Sequence, residues 1–285
     1  MGLKNFGIVG QEYVDSARER FLREYYAEDR ESYDPEDIEQ IKYNDWVVKR
    51  FIIAAYKNEE DACRRMSDAM KWRKDSELRS LTDEMFPREF WATGALFQYE
   101  KDRSGVPSLI MRLKFLKRIP EMLDHMKKFC MYQIFKIDTE TNGDGWMLVL
   151  DFTGCGYSHY QNIDICHYFI TTMHAYFPAG MDYVLIVDLP WVLSSFWGFV
   201  KMWIPEKRRD MVQFCTKDQL IDYFDLENLP PVLGGICKRP YKSAPERSQT
   251  AFDMGIDMGL DPSRCEEIYQ LYKPLLEECD EEATE

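Results

Sequence analysis

The residues nearest to a reactive constellation are Gly154-Cys155-Gly156 with His159 close behind. A cysteine nucleophile needs a neighbouring cation or base to hold its thiolate, and a third group to orient that base. No Lys or Arg flanks Cys155 and no orienting acid is evident, so a structural thiol in a glycine-rich loop is the better reading. A second candidate, Asp138-Thr139-Glu140-Thr141-Asn142-Gly143-Asp144-Gly145, spaces its acids and glycine like a calcium loop. Val149 stands where the closing bidentate Glu belongs, and a strand follows where a helix should, so this stretch reads as a turn before a strand. The chain holds no G-x-S-x-G elbow, no Walker A loop and no G-x-G-x-x-G. Its four histidines (His125, His159, His167, His174) are dispersed and its eight cysteines form no C-x-x-C pair, so neither a metal nor a cofactor is expected. Catalysis is not expected.

The informative chemistry is apolar. Pro190 to Pro205 reads Pro-Trp-Val-Leu-Ser-Ser-Phe-Trp-Gly-Phe-Val-Lys-Met-Trp-Ile-Pro. As a helix it is hydrophobic nearly all round, with Phe196, Val200 and Trp203 on one side and Leu193 and Trp197 on another. An ordinary core helix has that pattern, but Gly198 and two serines make this one loosely specified. Lys207-Arg208-Arg209 follow at once, a basic cluster in an acidic chain. Aromatic rings beside bases suit a helix at a membrane surface, where rings enter the headgroup region and the cations meet lipid phosphates.

The elements that would position this segment alternate. The first ninety residues have helical spacing: Val14, Ala17, Phe21, Leu22 and Tyr25 share a face, Asp34-Pro35 is a cap with a first-turn proline, and Asn58 could cap a helix carrying Ala62, Met66, Ala69 and Met70 inward. From Ala95 the pattern changes to two strands, Ala95 to Tyr99 and Val106 to Leu113, around the turn Lys101 to Gly105. A helix is expected from Pro120 to about Lys136. The continuous apolar runs Trp146 to Leu150 and Tyr183 to Val187 read as buried central strands, joined by a crossover helix from Ile163 to Tyr176. That is a βαβ unit in an α/β fold. A last helix is expected after Asp261-Pro262, with Cys265, Ile268, Leu271, Tyr272 and Leu275 on one side, and a solvated tail from Glu277 to Glu282. The expected division is a helical lobe over 1–90, an α/β domain over 91–240 and a C-terminal extension over 241–285.

Fifty acids against 36 bases, net −14, argue against a nucleic-acid partner. The scattered cysteines suit reduced thiols in the cytosol. Met1 to Gly10 has no signal-peptide pattern, and Phe6 breaks the myristoylation pattern that Gly2 would start. Tyr183 to Ile204 is mostly apolar, yet Asp188 and Pro190 interrupt it, so it is read as a strand and a helix and not as a membrane span.

Several pieces in order resemble the CRAL-TRIO, or Sec14-like, family from about Phe21 to Gly235: Arg50-Phe51, Trp72-Arg73-Lys74-Asp75, Gly105-Val106-Pro107, Leu150-Asp151-Phe152-Thr153-Gly154, Tyr176-Phe177-Pro178 and Leu229-Pro230 closing on Gly234-Gly235. The resemblance implies a helical lobe beside a mixed, mainly parallel sheet flanked by helices, with a hydrophobic pocket under a gate helix, here Trp191 to Ile204. It implies a carrier of one lipid or lipophilic small molecule, cytoplasmic and peripherally associated with a membrane surface that it touches transiently; protein partners are left unassigned. The pocket and gate residues expected on this basis are Trp146, Leu148, Leu150, Phe169, Met173, Leu185, Val187, Leu193, Phe196, Trp197, Val200 and Trp203, with Lys207, Arg208 and Arg209 at the membrane. Members that transfer phosphatidylinositol carry a Glu where this chain has Ala179, a Lys near Asp210 and a basic pair at Ala55 and Tyr56, so an inositol headgroup is not implied. The alternative reading is a non-catalytic scaffold whose pocket is plugged by Trp146, Phe169, Phe196 and Trp203.

Overall fold

A computed structural model describes residues 9–156 and 163–281, apart from the side chains of 163, 194–196, 199 and 279–281. The N-terminal lobe is built from α1 (Gln11–Phe21), α2 (Pro35–Tyr43), α3 (Asp45–Ala54) and α4 (Glu59–Asp75). Asp34 and Asn58 cap α2 and α4 by accepting from the backbone N–H of Glu36 and Asp61. Val14, Phe21, Ile41, Phe51, Met66 and Met70 are fully buried between these helices, on the helical spacing that the sequence carries.

The short α5 (Arg88–Ala92) leads into five strands in the order β1 (Leu96–Lys101), β2 (Pro107–Arg112), β3 (Trp146–Asp151), β4 (Met181–Val187) and β5 (Val212–Cys215). Only the β1–β2 hairpin is antiparallel. The α6 helix (Leu123–Thr141) and α7 (Ile163–Tyr176) make the crossovers from β2 to β3 and from β3 to β4. α8 (Ser194–Trp203) follows β4 after a single 3₁₀ turn, Trp191–Leu193. The chain ends in α9 (Ala251–Asp257) and α10 (Pro262–Glu281).

Two expectations change here. β5 was not foreseen; it is a four-residue edge strand whose Phe214 is half exposed. The acidic stretch from Glu277 onward is not a free tail, since α10 continues through Glu281 and Glu278 pairs with Lys114. On that helix Cys265, Ile268 and Tyr272 are buried, while Leu271 is 37% exposed.

A buried ion pair ties the lobe to the sheet. Arg50 donates through both terminal nitrogens to Asp138 at 2.6 and 2.9 Å, and through Nε to the Pro178 carbonyl at 2.8 Å. Asp138 thus belongs to the last turn of α6 and to a bidentate pair, not to a calcium-type loop. Gly180 is required beside it, because a Cβ there would lie 2.0 Å from Asp138 Oδ1. Trp72 of α4 stacks on Tyr176 of α7 at 4.3 Å and makes a second joint between lobe and sheet.

Candidate ligand cavity

In the parallel pair β3–β4, Leu148 lies opposite Val184 and Leu150 opposite Ile186. Side chains paired across a ladder share a face of the sheet, so these four form one apolar floor. The α7 helix supplies a wall through Phe169 and Met173, one turn apart, with Ile170 and His174 beside them and Phe177 just past its end. The α8 helix roofs the space with Trp197, Val200 and the following Ile204, again at helical spacing. Between floor and roof lie roughly 140 Å³ that the centre of a water-sized sphere can occupy. The wall is overwhelmingly apolar.

Trp197 meets Phe214 of β5 edge to face at 5.1 Å, and Trp203 meets His167 of α7 in the same way at 4.8 Å. No side chain caps the N-terminus of α8, and a Cβ added at Gly198 would meet open space. Outward, Trp191 is 87% and Met202 63% exposed, with Lys201 exposed between them in sequence.

Polarity enters the cavity at one end. Arg208 and His174 are the titratable side chains of the described wall. Burial pulls the His174 imidazole below its usual range, and the cations Arg208 and Arg65 push it the same way. Burial likewise lowers Arg208, against the opposing influence of Tyr56.

The sequence profile of the CRAL/TRIO domain matches residues 92–235, just over half of the chain. The chain belongs to the CRAL/TRIO family. Protein real-time of Drosophila pseudoobscura pseudoobscura is 26% identical over 237 residues, covering 71% of this chain and 34% of its own. Human tyrosine-protein phosphatase non-receptor type 9 is 25% identical over 99 residues, 35% of this chain and 16% of that protein. The chain therefore spans about a third or less of the length of these curated relatives. The crystal structure of Sfh5 superposes with a TM-score of 0.61 over 87% of this chain and 96% of that one, at 14% identity, and has the same fold. CRAL/TRIO domains bind lipophilic small molecules. Among the described residues no helix is long and apolar enough to cross a membrane.

Placed in this CRAL/TRIO cavity, the expected residues separate. Leu148, Leu150, Phe169, Met173, Trp197 and Val200 line it. Leu185 and Val187 do not: they are one residue out of phase and point to the opposite face, against Leu220, Phe224 and Leu229. Val184 and Ile186 take the places expected of them. Trp146 is fully buried at the foot of β3, with Nε1 donating to Asp138 at 3.4 Å, and neither lines nor plugs the cavity. Leu193 is buried in the main core ahead of α8. Trp203 turns to His167, and the side chain of Phe196 lies outside the described residues. Of the three bases expected at the membrane, Lys207 is exposed and sits over the Tyr56 ring at 4.4 Å. Arg208 turns into the cavity wall, and Arg209 folds back to donate to the carbonyls of Lys201 and Ile204 at the end of α8.

His174, Arg208 and the bend Pro178-Ala179 were not expected in the cavity wall: Arg208 was assigned to the membrane surface and His174 to no site. The signal available for His174 was its place one residue after Met173 on a helix already assigned to the pocket. The former nucleophile candidate is answered by its surroundings: burial first, then Asp151, pushes the Cys155 thiol up to about 12. His159 lies outside the described residues.

Proposed function

We propose that this chain takes up a single lipid or comparable lipophile between β3, β4, α7 and α8, and exchanges it when α8 swings away at a membrane surface. The observation that carries the reading is the void itself. Aromatic and aliphatic side chains abound around it, yet those among the described residues leave the space between the sheet and α8 unfilled. An unfilled apolar space forfeits dispersion contacts, and a hydrocarbon restores them while leaving water at about 0.8 kcal/mol per CH₂. The roof suits the moving part because, among the described residues, its ring contacts are two edge-to-face pairs, and its N-cap residue Leu193 makes no side-chain cap. The exposed Trp191 and Met202, with Lys201 and Lys207 nearby, suit the surface that meets the bilayer. Contact of that kind would be brief and peripheral, in keeping with a net charge of −14.

Within the family, Asp188-Leu189-Pro190-Trp191, Lys201-x-Trp203 and Leu229-Pro230-Pro231 are similar to the CRAL-TRIO part of motile sperm domain-containing protein 2. That likeness assigns no tethering role to this chain. Ala179 contributes a buried methyl to the cavity, which supports a ligand other than an inositol phospholipid.

Native mass spectrometry of the purified chain is the direct test. A stoichiometric lipid adduct is expected, and a bare mass under gentle conditions after exposure to vesicles would end the carrier reading. In a vesicle-to-vesicle transfer assay, a Trp191→Ala/Met202→Ser variant is expected to slow exchange at least about tenfold with an unchanged melting curve.

A further inference from the structure

A strained, exposed turn of the N-terminal lobe lies against the segment that follows the roof. Helix α3 closes where the N–H groups of Tyr56 and Lys57 donate back to the carbonyls of Ile53 and Ile52, at 3.2 and 2.9 Å. Tyr56 thereby takes the left-handed position that ends such helices and that glycine usually fills. Lys57 follows it into the same region, the two φ angles being 50° and 67°. Left-handed backbone costs any residue with a Cβ, and glycine would take it without strain. Burial does not compensate, because Tyr56 is 63% exposed. Side chains held in this way cluster where a molecule meets something else.

The neighbours of the turn indicate what that is. Lys207 Nζ lies 4.4 Å from the centre of the Tyr56 ring, and Lys57 Nζ lies 5.8 Å from that of Tyr13, itself 42% exposed. Tyrosines from α1 and from the turn thus alternate with lysines from the turn and from the 3₁₀ segment after α8. Arg209 of that segment donates to the carbonyls of Lys201 and Ile204, which joins the patch to the end of the roof that carries the exposed Met202. Rings with a polar tip beside long ammonium side chains suit the boundary of a bilayer, the ring at headgroup depth and the ammonium on phosphate. Glu12, Glu60, Glu206 and Asp210 are exposed near these residues in the chain, while Glu59 is held by Ser16 and Arg20. The attraction is therefore confined to the patch and weaker than a run of bases would give.

Given the carrier reading above, we infer that Tyr13, Tyr56, Lys57 and Lys207 form a docking surface for an anionic phospholipid bilayer. The N-terminal lobe and the roof then stand on the membrane together.

The test is co-sedimentation of the full chain with phosphatidylcholine vesicles prepared with and without phosphatidylserine. Tighter binding is expected where phosphatidylserine is present. Lys207→Gln is expected to weaken it about fivefold, the factor that one lysine near an anionic surface supplies. Tyr56→Gly is expected to weaken it by a similar factor while the melting temperature holds or rises, since the ring and the backbone strain go together. Tyr56→Asn, also at home in left-handed backbone, gives the same reading should the glycine variant fail to fold. Tyr43→Ala, at a residue 80% exposed at the end of α2, is the control and is expected to leave binding unchanged. A lower melting temperature with undiminished binding in Tyr56→Gly makes the tyrosine structural and overturns the inference. Equal affinity for the two vesicle types overturns the anionic surface. Loss of binding in Trp191→Ala/Met202→Ser, with Tyr56→Gly and Lys207→Gln at wild-type affinity, overturns the lobe contact and leaves the carrier reading standing. A wild-type chain that sediments with neither vesicle overturns the docking surface, and the lipid adduct in native mass spectrometry then decides the carrier reading separately.

Discussion

Met147, Val149, Leu185 and Val187 on one face of the sheet, and Leu148, Leu150, Val184 and Ile186 on the other, are the same kinds of side chain at alternating positions of the same two strands. The first set packs against Leu220, Phe224, Leu229 and Leu233 from the segment of 3₁₀ turns that follows β5, all of them fully or almost fully buried. The second set faces α7 and α8 across a void. Side-chain chemistry does not distinguish the faces. The cover does: short turns settle onto the pleats of one face, while α7 and α8 span the cavity over the other.

The sharpest way to break this contrast is one bulky substitution made on either side of it. Leu185→Trp has no room to enter and is expected to leave the chain unfolded or aggregated, and even Leu185→Ala is expected to lose about 2–5 kcal/mol in denaturant unfolding. Ile186→Trp, one residue along, is expected to grow into the void, fold at a cost of about 1–3 kcal/mol or less, and abolish the lipid adduct in native mass spectrometry. If both variants unfold alike, the cavity face is as tightly packed as its opposite.

A smaller effect concerns protons. Burial lowers both His174 on the cavity side and His125 on α6 from the ordinary 6.5. The unfolded chain binds protons at these positions before the folded chain does, so stability is retained above pH 6.5 and declines as pH falls below it. A melting temperature that falls on acidification, less steeply in His174→Gln, is the expected outcome. The mildest change is Gly198→Ala. Its Cβ meets nothing, and replacing a helical glycine is worth up to about 1 kcal/mol, so a slightly higher melting temperature with slower lipid transfer is expected. Faster transfer would mean that α8 is not the part that opens.

Much of the architecture could be read from local pattern. The crossover helix Ile163–Tyr176, the two central strands and the hairpin follow from runs and turns that lie within a few residues of one another. The roof could be read from its aromatic density. What failed depends on distant partners. Leu185 and Val187 were expected in the pocket because an apolar run in a buried strand does not say which parity faces which cover; only the Leu148–Val184 pairing decides it. β5 escaped notice because four residues at a sheet edge, one of them the half-exposed Phe214, make too short a pattern. Asp138 was read as part of a turn, and not as the end of α6, because its partner Arg50 lies 88 residues away. Arg208 and Arg209 looked like surface charges because the chain turns between them and α8.

The Arg50–Asp138 pair has a consequence for motion. It fastens α3, the end of α6 and the Pro178 carbonyl at a single point, over a glycine that admits no side chain. The bend entering β4 is thereby tied to the N-terminal lobe. On the carrier reading proposed above, entry would then fall to the opposite rim, under α8, where the Trp197–Phe214 and Trp203–His167 contacts are among those that would have to part.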